Sequence, residues 1–219
     1  MQAITDRRSV RKYQDRPVPR SMIEEIIRAG ILAPSAKNRQ PWKFVVVTKG
    51  AREEMLAALV KGLERERRKP FLAKSACYLD SAEYTFSIMK QAPVVIFIIN
   101  PLAKELQGVH WEEEGEMKCP PAADIKAWEA KSGFSEEDRI AEICNTQSIG
   151  AAIENMVLTA TDLGLGSLWI CDTFFVQREL DEWLGAKGEL FAALAIGFAD
   201  EAPNARPRKD FKDVVEWRD

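Results

Sequence analysis

Residues 7–19, RRSVRKYQDRPVP, put Arg7, Arg8, Arg11 and Arg16, with Lys12, inside ten positions of a chain whose net charge is −3. A guanidinium donates two parallel charge-assisted hydrogen bonds to a phosphate ester, and the Ser9 hydroxyl between the arginines adds a further donor. A solvated basic turn has the same composition. The cluster alone therefore leaves two readings open, an anion site or an ordinary charged face. A second basic group, Arg206, Arg208 and Lys209, lies near the other end. It joins the first only if the two ends of the chain meet.

A second stretch with chemical content is APSAKNRQPWKF, 33–44. Asn38 and Gln40 carry donors and acceptors together, which suits the edge of a flat heterocycle with alternating C=O and N–H groups. Pro34 and Pro41 stiffen the segment. A capped turn between a helix and a strand reads equally well.

Other chemistries are argued against by composition. The chain has one histidine, His110, which speaks against Ser-His-Asp and Cys-His centres. Glu112, Glu113, Glu114 and Glu116 beside it read as a solvated acidic loop rather than a site for a hard metal. Cys77, Cys119, Cys144 and Cys171 form no CxxC, so no zinc site is expected. The basic start has no apolar run behind it and does not read as a signal peptide, so the expectation is reduced thiols in a cytoplasmic protein. Cys171, next to an apolar run, reads as a small core hydrophobe. Gly164-Leu165-Gly166 follows a helix and precedes a strand, the reverse of a dinucleotide fingerprint, and lacks the third glycine. No GxxxxGK[ST] occurs. The negative net charge and the lack of aromatic residues interleaved with basic ones leave no expectation of nucleic-acid binding. No run approaches the roughly 18 apolar residues of a membrane span.

The elements that must position these groups follow from periodicity. SMIEEIIRAGILA, 21–33, predicts a helix with Ser21 as its cap and Glu24 completing a capping box. Residues 51–69 predict an amphipathic helix. Residues 140–163 predict a long helix that is apolar around much of its circumference, with Ile149, Ile153, Met156, Val157, Ala160 and Leu163 in one stripe and Gly164 as a left-handed cap. Such a helix is central to the core or packed on a second subunit. Four runs predict strands: 43–48, 93–99, 167–170 and 191–199. Strands interleaved with helices give an α+β or α/β class. No repeat or linker divides the chain, which reads as one domain, 1–219, with an irregular insert at about 100–139, partly helical at 122–131, that resembles a lid. Val214, Val215 and Trp217 make the tail too apolar for a free end, so it is expected to wrap over something, a neighbouring chain for instance.

RRSVRKY, then APSAKNRQPWKF, then GLGSLWI after the long helix, then RPRK in the tail: in this order and spacing the chain resembles the nitroreductase family of flavoproteins, over roughly 1–100 and 140–212. The resemblance implies an α+β fold, a three-layer α-β-α arrangement with a central, mostly antiparallel sheet. It implies a homodimer whose C-terminal tails are exchanged, with FMN held non-covalently at the subunit interface. It also implies NADH or NADPH as electron donor and a small organic acceptor, such as a nitroaromatic or quinone, reduced in ping-pong fashion. By position in the motifs, Arg7, Arg8, Ser9 and Arg11 match phosphate and ribityl contacts. Pro34, Ser35 and Ala36 match backbone that lies against the flavin of the partner subunit, with Asn38 and Gln40 supporting that loop or touching the ring. Trp169, Ile170 and Cys171 match the strand end beside the isoalloxazine, where backbone near Cys171 faces flavin N5. Arg208 matches a phosphate arginine assisted by Arg206. No protein side chain is expected as the catalytic acid or base.

Three features depart from the family pattern. Cys171-Asp172 stands where many relatives have two small residues, RPRKDF stands where RPRKPL is usual, and the insert is long. Relatives also include deiodinase-like and dehydrogenase-like flavoenzymes. Glu83, Tyr84 and Lys90 have the residue types of a deiodinase lid without a convincing spacing. A non-enzymatic flavin- or anion-binding protein is the remaining alternative.

Overall fold

A computed structural model describes residues 2–68, 76–103, 135–171, 173–185 and 187–218. Its centre is a four-stranded sheet in the order β1-β2-β4-β3: β1 (Lys43–Val47), β2 (Val94–Asn100), β3 (Gly166–Ile170) and β4 (Glu189–Gly197). All three pairings are antiparallel. Each strand falls on one of the four apolar runs of the sequence, and the runs of β1 and β2 are rich in β-branched residues. β2 is buried at every position, as a central strand covered on both faces must be.

Alternation along β2 separates two cores. Val94, Ile96 and Ile98, with Ala192, Leu194 and Ile196 of β4, face a cluster containing Ile23, Ile26, Ile149, Ile153 and Met156. These residues come from α2 (Arg20–Ile31) and α5 (Glu136–Asp162). Val95, Phe97 and Ile99 face a second cluster with Met55, Leu59 and Leu63 of α3 (Arg52–Arg67), Ile88 and Met89 of α4 (Ala76–Gln91), and Leu180 of α6 (Gln177–Leu184). Helices on both faces of an antiparallel sheet make the expected three-layer α+β arrangement. Two short helices, α1 (Gln2–Asp6) and α7 (Phe211–Val214), complete the described α-helices.

Two local expectations are corrected or sharpened. The cap of α2 is Pro19, not Ser21, and no side chain caps this end. The cap lies two residues earlier because Pro19, extended at ψ 138°, offers its carbonyl to the N–H groups of Met22 and Ile23 at 3.1 and 3.3 Å. Glu24 pairs with Arg20 instead. A true capping box opens α5: Ser135 Oγ accepts from the Asp138 N–H at 3.1 Å, and Asp138 Oδ2 accepts from the Ser135 N–H at 2.8 Å. At the far end Gly164 takes φ +73° as expected. Its N–H donates to Thr161 O and that of Leu165 to Ala160 O, at 2.9 and 2.8 Å, which is the Schellman pattern.

The two ends of the chain do meet. Gln14 N–H donates to Phe198 O and Asp200 N–H to Lys12 O, each at 2.9 Å. The Glu201 carboxylate accepts from the N–H groups of Arg11 and Lys12. Beyond this anchor the tail runs on the surface, with Phe211, Val214 and Trp217 at 67%, 60% and 75% exposure. Most of the expected lid, His110 with its acidic neighbours, and the helix expected at 122–131 lie outside the described residues.

Candidate functional site

The N-terminal segment is laid along the edge strand β3. Ser9 bridges Ser167 in parallel, and Val10 N–H donates to Ser167 O at 3.0 Å. The approach requires Gly166, since a Cβ there would stand 2.8 Å from the Val10 side chain. Tyr13 locks the segment from below. Its buried hydroxyl donates to Val10 O at 2.7 Å, and burial, then the Glu201 charge, push its ionisation far up, so it stays a neutral donor.

This packing opens a cleft of about 300 Å³ lined by Arg7, Ser9, Glu154, Val157, Ser167, Trp169 and Cys171. That volume falls at the lower end of small-molecule sites, about 300–1,000 Å³. Among the described residues the Arg7 guanidinium has no hydrogen-bond or ion-pair partner, so a cation stands ready in the cleft wall. Arg8 differs: its Nη1 donates to Thr5 O at 2.7 Å and to Arg7 O at 2.8 Å. Arg11 Nη1 donates to Ser9 O at 3.0 Å. Trp169 presents an indole whose Nε1 is buried and has no partner. An unpaired buried donor costs about 1–3 kcal/mol, so its presence at a cleft marks a place where something else supplies the acceptor.

Of the residues singled out in the sequence, Arg7, Ser9, Trp169 and Cys171 are brought together here. Ile170 turns its side chain into the core at 2% exposure and offers backbone only. Cys171 corrects its reading as a core hydrophobe: it follows the last residue of β3 and is exposed, because the strand has ended and the residue lies at the cleft. Its neighbour Asp172 lies outside the described residues.

Pro34, Ser35, Ala36, Asn38 and Gln40 do not line this cleft. They form a tight loop with positive φ at Lys37, Asn38 and Gln40. Gln40 N–H donates to Ser35 Oγ at 3.0 Å, and the Gln40 and Asn38 side chains pair at 3.3 Å. Ala36 N–H donates to Ser148 Oγ on α5 at 3.2 Å. Arg206 and Arg208 lie on the exposed tail, Arg208 bonding the carbonyls of Arg206 and Pro207. Within one chain, then, the N-terminal segment, α5 and β3 line the cleft, and the second group of expected contacts lies elsewhere. On α4, Glu83 is paired with Arg67.

Three cleft residues escaped the sequence reading. Glu154 is the lone charge within the apolar run 148–160, a signal that could have found it. Val157 lies one turn further along the same face of α5. Ser167 carries no signal of its own, since only the parallel bridge to Ser9 brings it to the site.

The sequence profile of the nitroreductase family matches residues 4–198. A protein of Archaeoglobus fulgidus, whose name couples NADH dehydrogenase with NAD(P)H nitroreductase, is 51% identical over 227 residues, covering 100% of this chain and 91% of its own. The NADH dehydrogenase of Thermus thermophilus is 40% identical over 220 residues, covering 99% of this chain and 94% of its own. Among solved structures, a BluB-like flavoprotein from Clostridium difficile shares the fold at TM-score 0.68 and 26% identity, covering 100% of this chain and 98% of its own. A nitroreductase from Desulfovibrio desulfuricans in complex with FMN does so at TM-score 0.61 and 23% identity, covering 99% and 95%.

Proposed function

The chain belongs to the nitroreductase family, and we propose that it passes electrons from NADH or NADPH through FMN to a small organic acceptor, a nitroaromatic, quinone or similar compound, in ping-pong order. As a member of that family it is an NAD(P)H-dependent oxidoreductase with FMN as its cofactor. The observation that carries the reading is the unpartnered Arg7 guanidinium in one cleft with two serine hydroxyls and an orphaned indole N–H. That set matches an elongated ligand with an anionic end, a polyol middle and a flat, acceptor-bearing ring.

FMN, when bound, accepts hydride from the nicotinamide and returns electrons to the acceptor. The chain's own residues do the rest. Arg7 and the Ser9 hydroxyl hold the phosphate end. Ser167 and Glu154 would lie along the ribityl region, and Trp169 would lie beside the ring. Backbone leaving β3 at Cys171 supplies polar groups near N5. One cleft would serve donor and acceptor in turn, and this sharing supports a ping-pong order.

A further wall is assigned to a second copy of the chain. Pro34, Ser35 and Ala36, on a loop made rigid by its own hydrogen bonds, approach the partner's flavin, with Asn38 and Gln40 bracing the loop. The exposed Phe211, Val214 and Trp217, together with Ile140 and Ile143 on α5 at 54% and 46% exposure, are the apolar surface such a homodimer buries. The exchanged tail carries Arg206 and Arg208 toward the phosphate. The chain is taken as a single domain, 1–219, working in the cytoplasm. Among the described residues no helix is long and apolar enough to cross a membrane.

The test is the visible spectrum of the purified protein, anaerobically, before and after NADH or NADPH. Oxidised-flavin bands that bleach support the reading. Bands that persist remove NAD(P)H as donor. A protein that stays colourless after soaking in FMN removes the flavin.

A further inference from the structure

We propose that Arg65, outside the cleft, is a positioning residue that sets how the chain leaves β3 and so fixes the Cys171 rim of the site; this rests on reading the cleft as the flavin site. β3 is an edge strand of the sheet, paired along its length with β4, and among the described residues its outer side is met by backbone only near its start, where the N-terminal segment bridges Ser167. The sheet therefore does not hold its exit from the outer side, and something else must.

That something is α3. From Cys171 the chain runs through Thr173, 3% exposed, into a 3-10 turn, Phe174–Val176, closed by Val176 N–H to Thr173 O at 3.1 Å, and then into α6. Arg65 grips both parts. Its Nε and Nη2 donate to the two oxygens of Glu179 at 2.8 and 3.0 Å, and the same Nη2 donates to the Phe175 carbonyl at 3.1 Å. Nη1 is held by the Glu66 carboxylate. The Glu179 side chain is 3% exposed. One turn back, Gly62 lets the 3-10 turn close on α3: a Cβ there would fall 2.5 Å from Val176 Cγ1 and 3.0 Å from Glu179 Oε2.

A buried ion pair of this kind is weak evidence for stability, since apolar residues of similar shape often serve as well. What it does supply is geometry. Only a planar fork spans a bidentate carboxylate and a carbonyl together, and lysine, a point charge on a flexible stem, does not. The rim it holds carries backbone expected at the flavin, where displacement on the order of 1 Å costs about a hundredfold in rate.

The test compares Arg65→Lys with Lys61→Ala. Lys61 pairs with Glu182 at 3.1 Å, in water, between the same two helices, so it controls for loosening α3 from α6. Two readouts are taken: reaction of the Cys171 thiol with a disulfide reagent in cofactor-free protein, against a Cys171→Ser background, and the midpoint potential of bound FMN. Arg65→Lys is expected to change the thiol rate about fivefold or more and to shift the potential, while Lys61→Ala changes neither. Unchanged thiol rate and potential in a folded Arg65→Lys protein overturn the proposal. Should that variant not fold, Glu179→Gln, which keeps the shape and weakens the fork, must move both readouts in the same sense; no movement overturns it. Wild-type protein that takes up no FMN sinks the flavin reading, and the thiol rates still decide whether Arg65 sets the exit.

Discussion

Ser9 and Ser167 stand side by side in a parallel bridge, with the Val10 N–H donating to the Ser167 carbonyl at 3.0 Å. This contact converts an N-terminal basic segment into a cleft wall. It depends on Gly166, which leaves room for Val10. Gly166 has no need of positive φ, so an added methyl acts through crowding alone.

Gly166→Ala is accordingly expected to destabilise the fold by about 1–3 kcal/mol and to weaken FMN binding by lifting Ser9 off β3. Denaturant unfolding and a flavin titration on the same sample check both. Loss of stability with unchanged flavin affinity would separate the bridge from the site.

Arg7 and Arg8 are adjacent yet differently engaged. Arg7→Ala is expected to weaken FMN binding about 10- to 100-fold, the worth of a charge-assisted hydrogen bond of about 1.5–3 kcal/mol. Arg8→Ala, which removes bonds to Thr5 and Arg7 carbonyls, should cost far less affinity. Fluorescence titration at fixed salt decides. The reverse order would move the phosphate to Arg8.

Asp181 on α6 carries a pH signature remote from the cleft. Burial pushes its carboxyl up to about 6, a hydrogen bond from Gln177 opposes this, and the Glu189 charge adds to it. The folded state therefore binds more protons than the unfolded chain between 3.8 and about 6. Stability falls as pH rises through that window and is level above it. Asp181→Asn should remove the slope and raise stability at pH 7 by about 1 kcal/mol, a figure reduced for partial solvent access. Urea unfolding at pH 5 and pH 7.5 checks it; an unchanged pH slope in the variant would show that Asp181 is not the group responsible. Glu179 behaves oppositely. Burial raises it, but hydrogen bonds and the charge of Arg65 outweigh burial and hold it below the usual range. Its contribution is present above the unfolded value and lost in acid.

The sequence was informative wherever one residue's side chain decides its own conformation or burial. Apolar runs became strands, with β2 legible from VVIFII alone, and Gly164 ended α5 as its position required. The α2 cap was misread because a serine followed by glutamate is a statistical signal, whereas Pro19 decided the start through its extended backbone. The helices α4 and α6 passed unnoticed: ACYLDSAEYTFSIMKQ mixes apolar and polar residues without a clean stripe, whereas QRELDEWL carries Leu180, Trp183 and Leu184 on one face but spans only eight residues. The nitroreductase resemblance covered the fold and the cofactor class because its four motifs are local.

The site itself divides along the same line. Sequence alone determined that arginines and a serine were available for an anion, that Trp169 and Cys171 closed a strand, and that FMN and NAD(P)H chemistry was the family's. Which arginine faces the cleft depended on where backbone carbonyls captured Arg8, a contact set by the α1 turn. Ser167, Glu154 and Val157 joined the site through a parallel bridge and a helix face. The Arg65–Glu179 clamp joins positions with no common pattern in the sequence. Hydrogen-bond partners distant along the chain are chosen by packing, and only the folded chain shows them.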